Sequence, residues 1–186
     1  WGHEWSSEPK DCFRVVFANI GGFPVDSRDP KNEAIKHYCL ALNAQAIGLT
    51  ECNVHWKKIP AFARLHERTM GWFEALGVNT AYYETYEAGS PFQPGGVSLW
   101  SIGVGVHRTQ SIGQDTSGLG RWAWTRYRGR HGIHLRVVTA YRPVLNPSGA
   151  MSVWNQHKTH FEAKDDDRCP RDIFIIDILK EVQTWL

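Results

Sequence analysis

Phe13-Arg14-Val15-Val16-Phe17-Ala18-Asn19-Ile20-Gly21-Gly22 and, one helical segment later, Ala44-Gln45-Ala46-Ile47-Gly48-Leu49-Thr50-Glu51 decide the fold class. Each is a β-rich run with a polar residue where the apolar series stops. Side chains alternate along a strand, so Phe13, Val15, Phe17 and Asn19 share one face, as do Gln45, Ile47, Leu49 and Glu51. Both core-facing series are thus expected to end in a polar side chain at the carboxyl edge of a sheet. Between them, Asn32 to Leu42 has helical spacing, with Ile35, Tyr38, Cys39 and Leu42 on one stripe. A second helical pattern covers roughly Ile59 to Leu76. Strand–helix–strand–helix favours an α/β or α+β layered fold.

Further along, Tyr82 to Tyr86, Val97 to Val106, Arg121 to Tyr127 and Ile133 to Tyr141 read as strands. Turns such as Gln93-Pro94-Gly95-Gly96 and Arg128-Gly129-Arg130-His131-Gly132 separate them, and the short spacing predicts antiparallel pairing. A helix is expected near Ser152 to Phe161. A last one starts at Pro170, a good first-turn residue, with Ile173, Ile176, Leu179, Val182 and Leu186 on one face. Residues 1–12 read as an irregular N-terminal segment, and 13–186 as one domain without internal repeat. The final helix has no Gly or Asn cap, which is the look of an α/β domain cut before its next strand.

At 186 residues the chain can bury one sizeable core. Nine Trp serve either that core or surface stacking. The net charge of +2 says little, but its distribution says more. No acidic residue lies between Asp115 and Glu162, a stretch holding Arg121, Arg126, Arg128, Arg130, Arg136, Arg142, Lys158 and four His. Arg121 and Trp122, with Arg126, Arg128 and Arg130, suit a nucleic-acid groove through phosphate contact and stacking. Trp122 and Trp124 equally suit a core pair under a solvated charged rim. The four cysteines form no C-x-x-C pair, which argues against zinc and against a disulfide framework. Neither a membrane span nor a signal peptide is visible, so an intracellular, cytoplasmic or nuclear, location is expected.

An amide oxygen at Asn19 and a carboxylate at Glu51, both at carboxyl strand ends, could help hold a hard cation. They could equally be the start of a turn and a solvated strand end. His157 and His160, at i and i+3, could face one ion together, though no third ligand is in view.

The order of the segments adds to this. Phe17-Ala18-Asn19-Ile20-Gly21-Gly22, Ile47-Gly48-Leu49-Thr50-Glu51, Gly95-Gly96-Val97-Ser98-Leu99 and Val137-Val138-Thr139-Ala140-Tyr141-Arg142-Pro143, in that sequence, resemble the opening of the endonuclease/exonuclease/phosphatase superfamily. Thr50 stands where that family usually has Gln. Gly120-Arg121-Trp122 and Val153-Trp154-Asn155-Gln156 look most like the endonuclease domains of mobile elements. The resemblance implies a DNase I-like two-sheet α/β sandwich and a Mg²⁺- or Mn²⁺-dependent phosphodiesterase, in first place a DNA endonuclease. It implies that Glu51 coordinates the metal, that Asn19 holds a phosphate or metal-bound water, and that Tyr141 hydrogen-bonds the scissile phosphate. It implies added positive charge from Arg142, although strand parity puts Arg142 opposite Tyr141. Tyr141 could otherwise be a core tyrosine with a satisfied hydroxyl. The family's later Gly-Asp-x-Asn and Ser-Asp-His motifs have no counterpart, so the domain is expected to be incomplete at its C-terminus, with half an active site. The competing readings are a non-catalytic module that binds nucleic acid or a partner, and a same-fold phosphoesterase acting on lipids or small phosphates.

Overall fold

The computed structural model describes residues 12–26, 28–87, 89–149 and 151–185. The expected irregular segment lies outside them except for residue 12, as does Leu186 of the predicted helix stripe. Among the described residues, seven strands form two sheets. The first has the order β1 (Val15–Asn19), β2 (Ala46–Thr50), β4 (Val97–Ile102), β3 (Leu76–Ala81). Only β1 and β2 are parallel. The second is the antiparallel meander β5 (Thr109–Gln114), β6 (Trp122–Arg128), β7 (His134–Ala140).

Crossing from β1 to a parallel β2 requires a helix between them, and α1 (Pro30–Ala41) supplies it. The Asp29 carboxylate accepts from the Lys31 amide at 2.8 Å and Pro30 opens the first turn. On the outer side of the first sheet, Ile47, Leu49 and Trp100 pack with Ile35, Cys39, Trp56 and Leu65. On its inner side, Ala46, Val97 and Leu99 meet Ala123, Tyr127 and Val137 of the second sheet. Gly48 is the point of closest approach. A Cβ there would lie 2.3 Å from Thr139 Oγ1 and 2.4 Å from the Phe17 ring. Of two further helices, α5 (Pro170–Gln183) packs on the far side of the second sheet, Phe174 against Trp122, and α4 (Val153–Glu162) packs on α5 through Phe161 and Ile173. The result is the two-sheet sandwich expected from the sequence.

Several boundaries moved. The helix expected over Ile59 to Leu76 is reduced to one 3-10 turn (Ala61–Ala63) and a short α2 (Leu65–Thr69), with Pro60 before the turn and Gly71 (φ +83°) after α2. The strand then comes early, at β3, and Tyr82 to Tyr86 is not strand. β4 stops at Ile102, where Gly103 (φ +51°) turns the chain into α3 (Val104–Arg108). The mostly polar β5 had no apolar alternation to announce it.

α5 is rolled relative to the predicted stripe. Ile173 and Phe174 are buried, whereas Ile176 and Leu179 are exposed. The roll brings Asp177 to Arg121 and Glu181 to Trp124. Two part-buried polar pairings thus accompany the departure from the apolar periodicity.

Candidate active site

The site lies where the parallel pair β1–β2 runs out, beside the end of β7. Glu51 directly follows β2 with φ +54°, and Asn53 has φ +57°. This left-handed turn changes the expected parity. Val15 and Ala46 pack toward the second sheet, while Ile47 and Leu49 pack toward the helices. In a straight strand Glu51 would follow Leu49. The turn instead puts Glu51 into one cleft with Tyr141, which directly follows β7. Non-glycine residues at positive φ cost free energy and concentrate at functional sites.

The opposite wall is the turn into β4. Gly95 and Gly96 have φ +85° and +78°. Asn53 N–H donates to Gly95 O at 2.8 Å, and Gly95 N–H donates to Asn53 Oδ1 at 2.8 Å. A Cβ on Gly95 would meet Val153 at 3.0 Å and Tyr141 at 3.9 Å. The predicted Gly95-Gly96 turn is therefore a fitted floor beneath Tyr141. A cleft of about 270 Å³ results, lined by Glu51, Asn53, Phe92, Gly95, Tyr141 and Ser152 among others. Beside it a cleft of about 300 Å³ shares Asn53 and Phe92 and reaches Gly21, Gly22, Asp29 and Lys31.

The charge distribution of the first cleft is asymmetric. Glu51 is its one ionisable carboxylate. Ser152 and Val153 bring the N-terminus of α4, and Ser152 Oγ accepts from the Asn155 amide at 3.2 Å. An unpaired helix N-terminus favours negative charge. Burial pushes the Tyr141 phenol up to about 12, and the Glu51 charge and hydrogen bond add to that. Tyr141 is therefore protonated at neutral pH and acts as a donor.

The other predicted residues fall in different places. Asn19 pairs in register with Thr50, next to Glu51, but its Oδ1 accepts from the Gly21 amide at 3.0 Å. It shapes the turn rather than lining the cleft. Arg142 is exposed and is not among the lining residues, as its strand parity suggested. Arg121 and Trp122 are corrections, because both are buried. Arg121 lies between Asp115 (2.7 Å) and Asp177 (2.9 Å), and Trp122 packs edge-on against Phe174. Neither reaches nucleic acid. Arg126 is half-buried, and Arg128 and Arg130 are exposed.

The His157 and His160 ion site is likewise corrected. His160 Nδ1 is 3.1 Å from the Tyr83 hydroxyl, and burial holds His157 neutral, down to about 3. Sequence reading missed Asn53 and Phe92. Only the short spacing of Asn53 after Glu51 could have drawn attention to it.

Among the described residues, no group of three or more His, Cys, Asp or Glu converges on a metal position. Glu51 with neighbouring amide oxygens suits an ion that takes oxygen donors and keeps several waters, as Mg²⁺ does. The His and Cys donors that usually hold Zn²⁺ do not line this cleft.

No protein-family model matches the chain, and no curated protein matches it in sequence. Solved structures do resemble it. An AP endonuclease from Leishmania major matches with a TM-score of 0.50 at 13% identity, over 70% of this chain and 40% of that one. An AP endonuclease from Archaeoglobus fulgidus matches with a TM-score of 0.43 at 16% identity, over 71% of this chain and 42% of that one. A 3′ phosphatase from Neisseria bound to product DNA hairpin matches with a TM-score of 0.41 at 18% identity, over 73% of this chain and 45% of that one. The chain thus spans less than half the length of these proteins. Taken with its own two-sheet topology, the first likeness shows a fold of the DNase I-like type.

Proposed function

We propose that this chain furnishes the first part of the active site of a metal-dependent phosphodiesterase acting on nucleic acid, in first place a DNA endonuclease. The observation that carries this reading is the Glu51–Tyr141 pair facing the N-terminus of α4 across one cleft. A carboxylate on one wall and a helix N-terminus on the other suit a phosphodiester with its counter-cation. Bound Mg²⁺ or Mn²⁺ supplies charge screening and an acidified water.

The chain's residues divide the remaining work. Glu51 offers the anionic oxygen. Tyr141 keeps its proton and donates to a phosphate oxygen, stabilising charge as it builds. Asn19 holds the β1 turn beside Glu51 in shape. Gly95 leaves the floor open.

The test uses the deoxydinucleotide dTpdT as probe, titrated into the isotope-labelled chain with and without Mg²⁺. Amide shifts at Gly95, Tyr141 and Val153 that need Mg²⁺ and vanish in Glu51→Gln support the reading. Shifts that ignore Mg²⁺ and Glu51 refute it. The 186-residue chain alone leaves supercoiled plasmid intact. Nicking by it, abolished in Glu51→Gln, would overturn the assignment of a partial site.

A second reading, a non-catalytic binding module, draws on the single carboxylate in the cleft. It predicts dTpdT shifts without any Mg²⁺ dependence.

A further inference from the structure

The β6–β7 hairpin lies at the far end of the second sheet from the cleft. Tyr141 follows Ala140, which pairs with Trp122, whereas the hairpin turn follows the pair Arg128–His134. Six residue steps separate these ends, roughly 20 Å at the usual strand rise. On the outer face, Arg126 and Arg136 stand directly opposite one another, followed by Arg128 opposite His134. Like charges in cross-strand register oppose pairing, so the Arg126–Arg136 pair is held in place against a repulsion.

The Arg136 guanidinium is held from both sides. It lies 4.5 Å from the Trp124 ring centroid and 4.1 Å from that of Trp185. Its Nε and Nη1 are buried without a hydrogen-bond partner. Beyond it, Arg128, Arg130, His131 and His134 are exposed. Arg108, which ends α3, directly precedes Thr109, itself paired with Tyr127, so it lies at the same end. The acidic side chain packed against this face is Glu181, which accepts from Trp124 Nε1 at 2.8 Å.

We propose that this face of the hairpin, centred on Arg126, Arg128 and Arg136 and continuing to Arg130 in the turn, is a second polyanion site that anchors the phosphate backbone of duplex DNA away from the catalytic cleft. The proposal rests on the nuclease reading for its choice of DNA. The aligned arginines and the absence of carboxylates along all three strands of the sheet supply the charge complementarity. Arginine–phosphate contacts position a duplex and carry no sequence information, so the site is indifferent to sequence and sensitive to salt. Trp124 and Trp185 keep Arg136 rigid, which reduces the ordering cost of binding.

Binding of a 20-bp duplex is measured by fluorescence anisotropy across a salt series, with the 186-residue chain. Each phosphate neutralised contributes about 0.9 to the slope of log affinity against log salt. The triple change Arg126→Gln, Arg128→Gln, Arg130→Gln is expected to lower that slope by about 2 to 3 and to weaken binding at least tenfold. The three Arg→Lys changes largely keep the slope. Circular dichroism confirms that each variant folds. An unchanged slope in the triple Gln variant overturns the proposal. So does equal, equally Arg-dependent binding of poly-glutamate, which points to an acidic protein partner instead. If the hairpin variants bind as the parent does while dTpdT still needs Mg²⁺ and Glu51, the anchor fails and the cleft reading stands. If the dTpdT response is also absent, both fail.

Discussion

Glu51 and Tyr141 line one cleft, bringing the residue that follows β2 beside the residue that follows β7 across the two sheets. These residues are 90 positions apart in sequence. Their meeting depends on the left-handed turn at Glu51 and on the close packing of β2 against β7 at Gly48.

The Tyr141 titration reads this contact directly. Its phenol is pushed up to about 12 by burial and then by Glu51. A raised folded pKa for this group contributes stability that is fully present below the unfolded value, about 10. That contribution is lost as pH rises through the folded one. Stability should therefore fall between pH 10 and 12, less so in Tyr141→Phe. In Glu51→Gln the Tyr141 titration, followed by NMR of labelled tyrosine, should move down toward the ordinary value. Saturating Mg²⁺ should move it the same way. A titration unmoved by both would separate the two residues.

Gly48→Ala tests the sheet-to-sheet approach. The new methyl would meet Thr139 Oγ1 and the Phe17 ring at 2.3 and 2.4 Å; Phe17 is exposed and can swing aside, whereas Thr139 is buried between the sheets. Urea unfolding should show a loss of about 1–3 kcal/mol, the usual range for overpacking a core. A cost near zero would mean that the sheets are further apart than described.

Arg121 is predicted to matter for stability and not for DNA. Burial pulls the Asp115 carboxyl upward, but Arg121 and Ser117 outweigh this and hold its pKa below the ordinary value. A depressed carboxylate contributes stability that is present above its unfolded pKa, about 4. That contribution fades as pH falls through the folded value. Arg121→Met should cost about 3–5 kcal/mol in urea unfolding at pH 7, because Asp115 is left charged in the core. The salt slope of DNA binding should stay the same. A lower slope in a folded Arg121→Met protein would return Arg121 to the interface.

Much of the fold could be read from periodicity. β1, β2, β6, β7, α1, α4 and α5 fall within a few residues of expectation because each couples a regular apolar pattern to a recognisable start or stop. β5 escaped, since Thr-Gln-Ser-Ile-Gly-Gln at a sheet edge buries little. Glu51 and Tyr141 could be named from motif order, but their contact could not, because period-two counting fails at a positive φ. Arg121 misled for a related reason. Its partners are Asp115, six residues earlier, and Asp177, on a helix whose predicted stripe faced elsewhere. An acid-free segment shows where positive charge is concentrated along the chain. It does not show which of those side chains are neutralised in the fold.

The central claim is that Glu51 and Tyr141 form a cation-holding cleft. The most direct measurement is paramagnetic broadening by Mn²⁺ in the isotope-labelled chain, parent against Glu51→Gln. Broadening confined at low Mn²⁺ to the amides of Glu51, Asn53, Gly95 and Tyr141, and lost in Glu51→Gln, is the expected result. Broadening scattered over the surface acids, or unchanged in Glu51→Gln, would contradict it.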